Sequence, residues 1–338
     1  MPTPSPTPPR PIIALEEHFL SHAASTTPNP HNAAFKAIPG LWDQFTELGP
    51  KRIADMDAGQ VTLQVISHGP GDLSPAACCE TNNQLAEAVR AYPARFAGFA
   101  ELPMEDPVEA ARELRRMCSV GSRDENGVTF LGALVDSHTE DGLYYDGPEF
   151  DILWAAATDL DVPIYIHPTW PSDNLTAAYQ STGNLPDDVT TSILAFGFGW
   201  HSDVAMHILR LHAAGVFDRF PTLKIIIGHM GEMIPYMLQR IERVSARWGR
   251  SRSFREVWDS NIWITTSGNW ALDPMACILR NTRSDRIMFS VDYPFAKSGD
   301  ALKLLEELEA SGMVSGEVLE GIRWRNAARL LKLDLGLT

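Results

Sequence analysis

The sequence is poor in cysteine, with four in 338 residues (Cys78, Cys79, Cys118 and Cys277) and no Cys-x-x-Cys spacing among them. One adjacent pair and two distant singles do not make a disulfide framework or a thiolate metal site, so they read as reduced thiols in a core. Long apolar runs are missing too, since no stretch approaches the ~18 consecutive apolar residues of a membrane span. Positive charge is scarce: 28 Lys and Arg stand against 43 Asp and Glu, a formal net charge of −15. With no basic run to break that background, neither nucleic acid nor an anionic membrane surface is an expected partner. A small anion can still bind where a local positive centre, such as a bound cation, offsets the field.

Residues 1–11 carry six prolines and no apolar stretch, which does not match a signal peptide and reads as a disordered leader. A cytoplasmic protein is expected. Residues 12–338 show no Pro/Gly/Ser-rich linker and read as one catalytic domain. Eight short, β-branched, nearly unalternating apolar runs recur along them: Ile12–Leu15, Val61–Ile66, Phe96–Ala100, Phe130–Val135, Val162–Ile166, Leu223–Ile227, Ile262–Thr265 and Ile287–Phe289. Such runs fit strands buried on both faces, as parallel strands are. Between them lie helical patterns at Glu80–Ala91, Val108–Met117, Phe150–Leu160, Val204–Ala214, Met233–Trp248 and Leu302–Ala310. Eight strand runs interleaved with helical patterns, without a Gly-x-Gly-x-x-Gly turn, predict an α/β fold of the (β/α)₈ TIM-barrel type rather than a doubly wound sheet. The segments Ser21–Gly49 and Pro171–Ser202 read as long βα loops over the C-terminal face.

In such barrels the working residues follow the apolar runs directly. The first run leads into Glu16-Glu17-His18, where alternation puts Glu16 and His18 on one side and Glu17 on the other as a solvated or supporting carboxylate. The fifth run ends in His167, the sixth in His229 and the eighth in Asp292. Imidazoles and carboxylates converging from four strand ends suit one divalent cation at Glu16, His18, His167 and Asp292. Zn²⁺ or Mn²⁺ fits such a set better than Mg²⁺. Glu232 follows His229 by three residues, where it either reaches back to the imidazole or complements a helix N-terminus. His68, Trp200, Arg240 and Phe295 are the candidate substrate contacts, and His201 is a further pocket-loop candidate. Arg240 and Arg243 also read as surface or inter-subunit groups of a homodimer or homotetramer. The loop aromatics Trp170, Phe196, Phe198, Trp200, Trp270, Tyr293 and Phe295 offer walls for a planar ring.

Nearly the whole chain resembles the decarboxylases of the amidohydrolase superfamily, the group of γ-resorcylate, 2,3-dihydroxybenzoate and salicylate decarboxylases. The likeness runs through Ala14-Leu15-Glu16-Glu17-His18, Leu160-Asp161-Val162-Pro163 with His167-Pro168, and Gly228-His229-Met230-Gly231-Glu232. It continues through Thr265-Thr266-Ser267-Gly268-Asn269, Phe289-Ser290-Val291-Asp292 and Asn326-Ala327-Ala328-Arg329-Leu330. The resemblance implies Glu16, His18, His167 and Asp292 as metal ligands and His229 with Glu232 as a catalytic pair beside them. It also implies non-oxidative decarboxylation of an ortho-hydroxybenzoate, a small aromatic carboxylate, reversible with excess bicarbonate. Asp292 is then the first choice of proton donor and His229 the alternative. The loops at Ser67-His68-Gly69-Pro70 and Trp200-His201 depart from that group. A hydrolase of the same superfamily, acting on a lactone or amide, is the alternative; its first strand would typically offer His-x-His where this chain has Glu16-x-His18.

Overall fold

The computed structural model describes residues 10–27, 30–119, 130–179 and 183–336, so residues 1–9 of the expected leader lie outside it. Eight strands occur in chain order: β1 (Ile13–Phe19), β2 (Leu63–His68), β3 (Phe96–Ala100), β4 (Phe130–Asp136), β5 (Pro163–His167), β6 (Lys224–Ile227), β7 (Ile262–Thr265) and β8 (Ile287–Met288). Each pairs in parallel with the next. A bridge between Leu15 and Ser290 returns the last strand to the first, with the His18 N–H donating to the Tyr293 carbonyl at 2.6 Å. The fold is a (β/α)₈ barrel.

All eight expected strands are present, and β1, β2, β4 and β5 run past their apolar stretches into polar residues buried or half-buried at the barrel mouth. β1 runs four residues beyond its apolar stretch, through Glu16, Glu17 and His18, because these side chains sit inside the barrel mouth with no exposed surface. Alternation divides the apolar residues into two layers. Ile164, Ile166, Ile225 and Ile227 face the helices, whereas Tyr165, Ile226, Leu15 and Met288 fill the barrel interior. The helices begin where local chemistry allows. Pro75–Ala91 starts five residues before its apolar pattern, with Ser74 capping the Ala77 N–H and Pro75 in the first turn; Pro107–Met117 is capped by Asp106, which accepts from Val108 and Glu109. Both long loops contain helices that polar composition hides: His22–Thr26, Pro30–Ala37 and Leu41–Phe45 in the first, Asp173–Tyr179 and Asp187–Leu194 in the second. The first loop builds its own apolar cluster from Leu20, Ala24, Phe35, Leu41 and Phe45, against which Trp170 packs.

Strand pairing itself makes one glycine obligatory. Gly132 in β4 has φ of +151°, and a Cβ there would stand 2.2 Å from the Pro163 carbonyl oxygen of β5. Gly132→Ala should therefore destabilise the fold by at least about 2 kcal/mol, from backbone strain plus overpacking. Chemical denaturation measures this, and an unchanged midpoint would contradict the register between β4 and β5.

At the end of β4, burial and the neighbouring Asp72 charge push the Asp136 carboxyl up to about 8, although the Thr169 hydroxyl and Gly71 N–H both donate to it. An acid raised on folding is fully stabilising below its ordinary pKa of about 4 and loses that contribution as pH rises through the folded value. Relative to Asp136→Asn, the wild type should lose stability between about pH 4 and pH 8, by up to about 1.4 kcal/mol per pH unit. Thermal melts in chelator across that range check the sign.

Candidate active site

At the C-terminal rim of the barrel Glu16, His18, His167 and Asp292 each bring one ligand atom within 4.8 Å of the others. His18 Nε2 lies 3.5 Å from Asp292 Oδ1, and His167 Nε2 lies 3.4 Å from Glu16 Oε1. The convergence of Glu16 and His18 does not come from simple alternation. The register against β2 shifts between Ala14 and Glu17, and Glu16 takes a left-handed φ of 63°. This bulge aims the carboxylate into the cluster. His229 (φ 49°) and Asp292 (φ 71°) are left-handed as well, so three strand ends present their side chains from a backbone that non-glycine residues rarely adopt.

Each cluster residue is held by the barrel around it. Glu16 Oε2 accepts from the hydroxyls of Tyr165 and Ser267 and, at 3.1 Å, from that of Thr265. Oε1 lies against Gly228, where a Cβ would approach to 2.8 Å. The carboxylate therefore needs a glycine there. His18 Nδ1 sits 3.2 Å from the His68 carbonyl, which fixes hydrogen on that nitrogen and turns the Nε2 lone pair toward Asp292. Glu17 is not solvated. It is fully buried and accepts from the N–H groups of Val291 at 2.8 Å and Tyr293 at 3.3 Å, tethering the backbone on both sides of Asp292.

Three buried atoms of these residues, Glu16 Oε1, His18 Nε2 and His167 Nδ1, have no hydrogen-bond partner among the described residues, and the first two lie toward other members of the cluster. An orphaned carboxylate oxygen and an orphaned imidazole nitrogen, beside a second imidazole and a second carboxylate, are a donor set that fits a divalent cation. The electrostatics point the same way. Burial disfavours the Glu16 carboxylate, but the imidazoles of His229, His167 and His18 hold it below the usual range. Burial, reinforced by the Glu16 charge, pushes Asp292 well up. Burial drives His18 well down, leaving it the neutral form a cation requires.

Beside the cluster stand His229 and Glu232, with His229 Nδ1 donating to Glu232 Oε1 at 2.6 Å and Nε2 lying 3.6 Å from Glu16 Oε1. Of the two readings open for Glu232, it is the imidazole that the carboxylate meets. Burial opposes charge on His229, yet Glu232 and Glu16 raise it to about 10, and His229 with His201 lowers Glu232 despite burial. The rest of the rim is aromatic. Phe295 stands 6.0 Å from His18, Phe35 and Phe45 pack on Phe295 at 5.7 and 5.3 Å, Trp170 packs on Phe35 at 6.0 Å, and Trp200 packs on Trp170 at 5.3 Å.

The remaining candidate contacts fall in different places. His68 is buried, with Nε2 accepting from the Ser21 N–H at 3.1 Å, while Arg240 is exposed on the helix Ile234–Ser245 and bonds to none of the site residues. Sequence reading passed over three features. Tyr165, Thr265 and Ser267 look like core or turn residues until Glu16 is placed among them. His138, just past β4, is buried with Nε2 3.7 Å from Asp203 Oδ2. The bond between His201 and Glu232 joins residues 31 apart, which no local pattern signals.

Comparison with known proteins agrees with this geometry. The chain is 48% identical over 334 residues to the decarboxylase orsB of Emericella nidulans, covering 96% of this chain and 98% of that one. The crystal structure of a dihydroxybenzoic acid decarboxylase from Polaromonas sp. JS666, with bound manganese and the inhibitor 2-nitroresorcinol, matches with a TM-score of 0.80 and 31% identity, covering 96% and 97% of the two chains. A 2,6-dihydroxybenzoate decarboxylase complexed with 2,6-dihydroxybenzoate matches with a TM-score of 0.80 and 31% identity, covering 96% of this chain and 100% of that one. Residues 41–333 match the amidohydrolase family model. From the barrel, the residues gathered at its rim and these matches, the chain belongs to the amidohydrolase family.

Proposed function

We propose that this protein is a non-oxidative decarboxylase of an ortho-hydroxybenzoate, working with one divalent cation, Mn²⁺ or Zn²⁺, held by Glu16, His18, His167 and Asp292. The observation that carries the reading is the convergence of those four ligand atoms within 4.8 Å beside the His229–Glu232 pair. The similarity to decarboxylases over almost the full chain supports the reaction class.

When bound, the cation supplies a positive centre that holds a carboxylate and an adjacent ring oxygen together. The chain's own residues supply the rest. Phe295, exposed next to His18 and backed by the buried Phe35 and Phe45, offers an apolar wall for a planar ring. Asp292, part-exposed at the rim, and His229 are the two groups able to hand a proton to the carboxyl-bearing carbon. Asp292 is the first choice, sharing a proton with the ortho hydroxyl. Protonation of the ring carbon interrupts aromaticity; cleavage of the bond to the carboxyl group returns its electron pair to the ring and releases CO₂. One proton is consumed per turnover, and no redox change occurs.

Three outcomes follow. Gentle purification should yield about one Mn²⁺ or Zn²⁺ per chain, with activity lost on chelation and restored by Mn²⁺; full activity from a metal-free sample would refute the site. Asp292→Asn should abolish turnover, whereas Glu232→Gln should lose about 10–100-fold in kcat, since it acts through His229; equal mild losses would contradict the two roles. Among substrates, salicylate-type acids should release CO₂ and 4-hydroxybenzoate should be inert, because a para hydroxyl donates electrons to the ring equally well but cannot reach the carboxylate's partner position. Rapid turnover of the para isomer, with none of any ortho acid, would sink the positional argument.

A further inference from the structure

The His229–Glu232 pair does not end at Glu232. Glu232 Oε2 accepts from Nδ1 of His201 at 2.7 Å, so one fully buried carboxylate joins two imidazoles, one oxygen to each. The two rings are tilted by 59° with centroids 4.6 Å apart, and ligand-type atoms of His201, His229 and Glu232 come within 4.8 Å of one another. His201 comes from the helix Gly199–Ala213, which follows β5, whereas His229 and Glu232 belong to the turn after β6. That turn cannot set its own side chains easily. From His229 to Met233 five consecutive residues have left-handed φ, of 49°, 58°, 90°, 52° and 64°. A backbone in that region persists where its surroundings over-determine it.

We propose that His201 is a positioning residue for the reaction: by donating to the outer oxygen of Glu232 it keeps the inner oxygen on His229 Nδ1, and so fixes the direction in which the His229 ring points Nε2. The argument is one of donors and acceptors. Glu232, held ionised by the two imidazoles against burial, only accepts, so both Nδ1 atoms carry hydrogen. His229 then has Nε2 as its remaining nitrogen, and that atom is the one 3.6 Å from Glu16 Oε1, facing the cluster. Without His201, Oε2 is a buried anionic oxygen with no donor, a desolvation penalty the carboxylate bears for as long as it stays put. The carboxylate recovers that cost by rotating or drawing in water, and either response releases His229. The side chain of His201 is 22% exposed, and its Nε2 lies 3.3 Å from the Phe196 carbonyl, so it reaches Glu232 from the outer side of the rim.

This inference rests on the decarboxylase reading for its kinetic consequence and on geometry for its structural one, and the two are tested apart. His201→Phe keeps a ring and removes the donor; His201→Asn keeps an N–H near the Nδ1 position. In the metal-loaded protein His201→Phe should lower kcat about 10–100-fold, the usual range for a group that orients another, with KM changed less than about threefold. His201→Asn should recover kcat to within about threefold of wild type. Imidazole ¹⁵N–¹H spectra give the readout that a packing role would not move: the strongly deshielded Nδ1–H signal of His229 should be lost or split in His201→Phe and return in His201→Asn. Wild-type kcat and an unaltered His229 signal in His201→Phe would overturn the proposal. So would equal losses in both variants accompanied by a lowered melting temperature, which would mark His201 as a packing residue. If the wild type releases no CO₂ from any ortho-hydroxybenzoate while His201→Phe still disturbs the His229 signal, the decarboxylase reading falls and the positioning role stands.

Discussion

The site depends on keeping one ionised carboxylate where no water reaches it. Glu16 has no exposed surface, and an unpaired ion in that position costs several kcal/mol. The fold answers from three other strands at once. Tyr165 of β5, Thr265 of β7 and Ser267 just beyond it satisfy one oxygen. Gly228 at the end of β6 leaves room for the other, which faces His167 and His229. Half the barrel is thereby committed to one side chain of β1, and the oxygen it leaves free of hydrogen bonds is the one that faces the candidate ligand position.

Rigidity follows from the same commitment. Glu16, His229 and Asp292 occupy left-handed backbone at three separate strand ends, each costing on the order of 1–3 kcal/mol. Glu17 ties the backbone around Asp292 to β1 through two N–H donors, so β1 fixes two cluster residues, one with its own side chain and one through a neighbour's. The helix-bearing loop after β1 then places Phe35 and Phe45 over Phe295 and thus beside His18. Loop, strand end and metal-type cluster form one continuous packing unit.

The order in which sequence becomes legible here follows the range of each interaction. Apolar runs report burial of neighbouring residues, so all eight strands could be read. A charged or imidazole residue directly after a run is equally local, and this sufficed for Glu16, His18, His167, His229 and Asp292. The bulge at Glu16 was invisible, because alternation from Leu15 to His18 gives the same two side chains a shared face by a different route. For Glu17 the sequence leaves a solvated and a supporting role equally open, since its partners Val291 and Tyr293 lie 274 and 276 positions away. The partners of Glu16 at Tyr165, Thr265 and Ser267 are hidden for the same reason, and the helices of the long loops because a short helix packed on its own cluster needs little periodicity.

On the proposed reaction, charge rather than shape separates substrate from product at this rim. An ortho-hydroxybenzoate and the phenol it becomes present the same ring to Phe295, so that apolar contact binds both comparably and uniform binding of that kind adds nothing to the chemical step. The difference is the carboxylate. A chain with a formal charge of −15 repels an anion everywhere except where a local positive centre offsets its field, and the cluster of Glu16, His18, His167 and Asp292 is where such a centre fits. Loss of CO₂ removes the anion and with it the one attraction that the acidic surface does not otherwise provide. The phenol keeps its hydroxyl and its ring contacts but has lost one of the two oxygens the cation would hold, and is bound the more weakly for it.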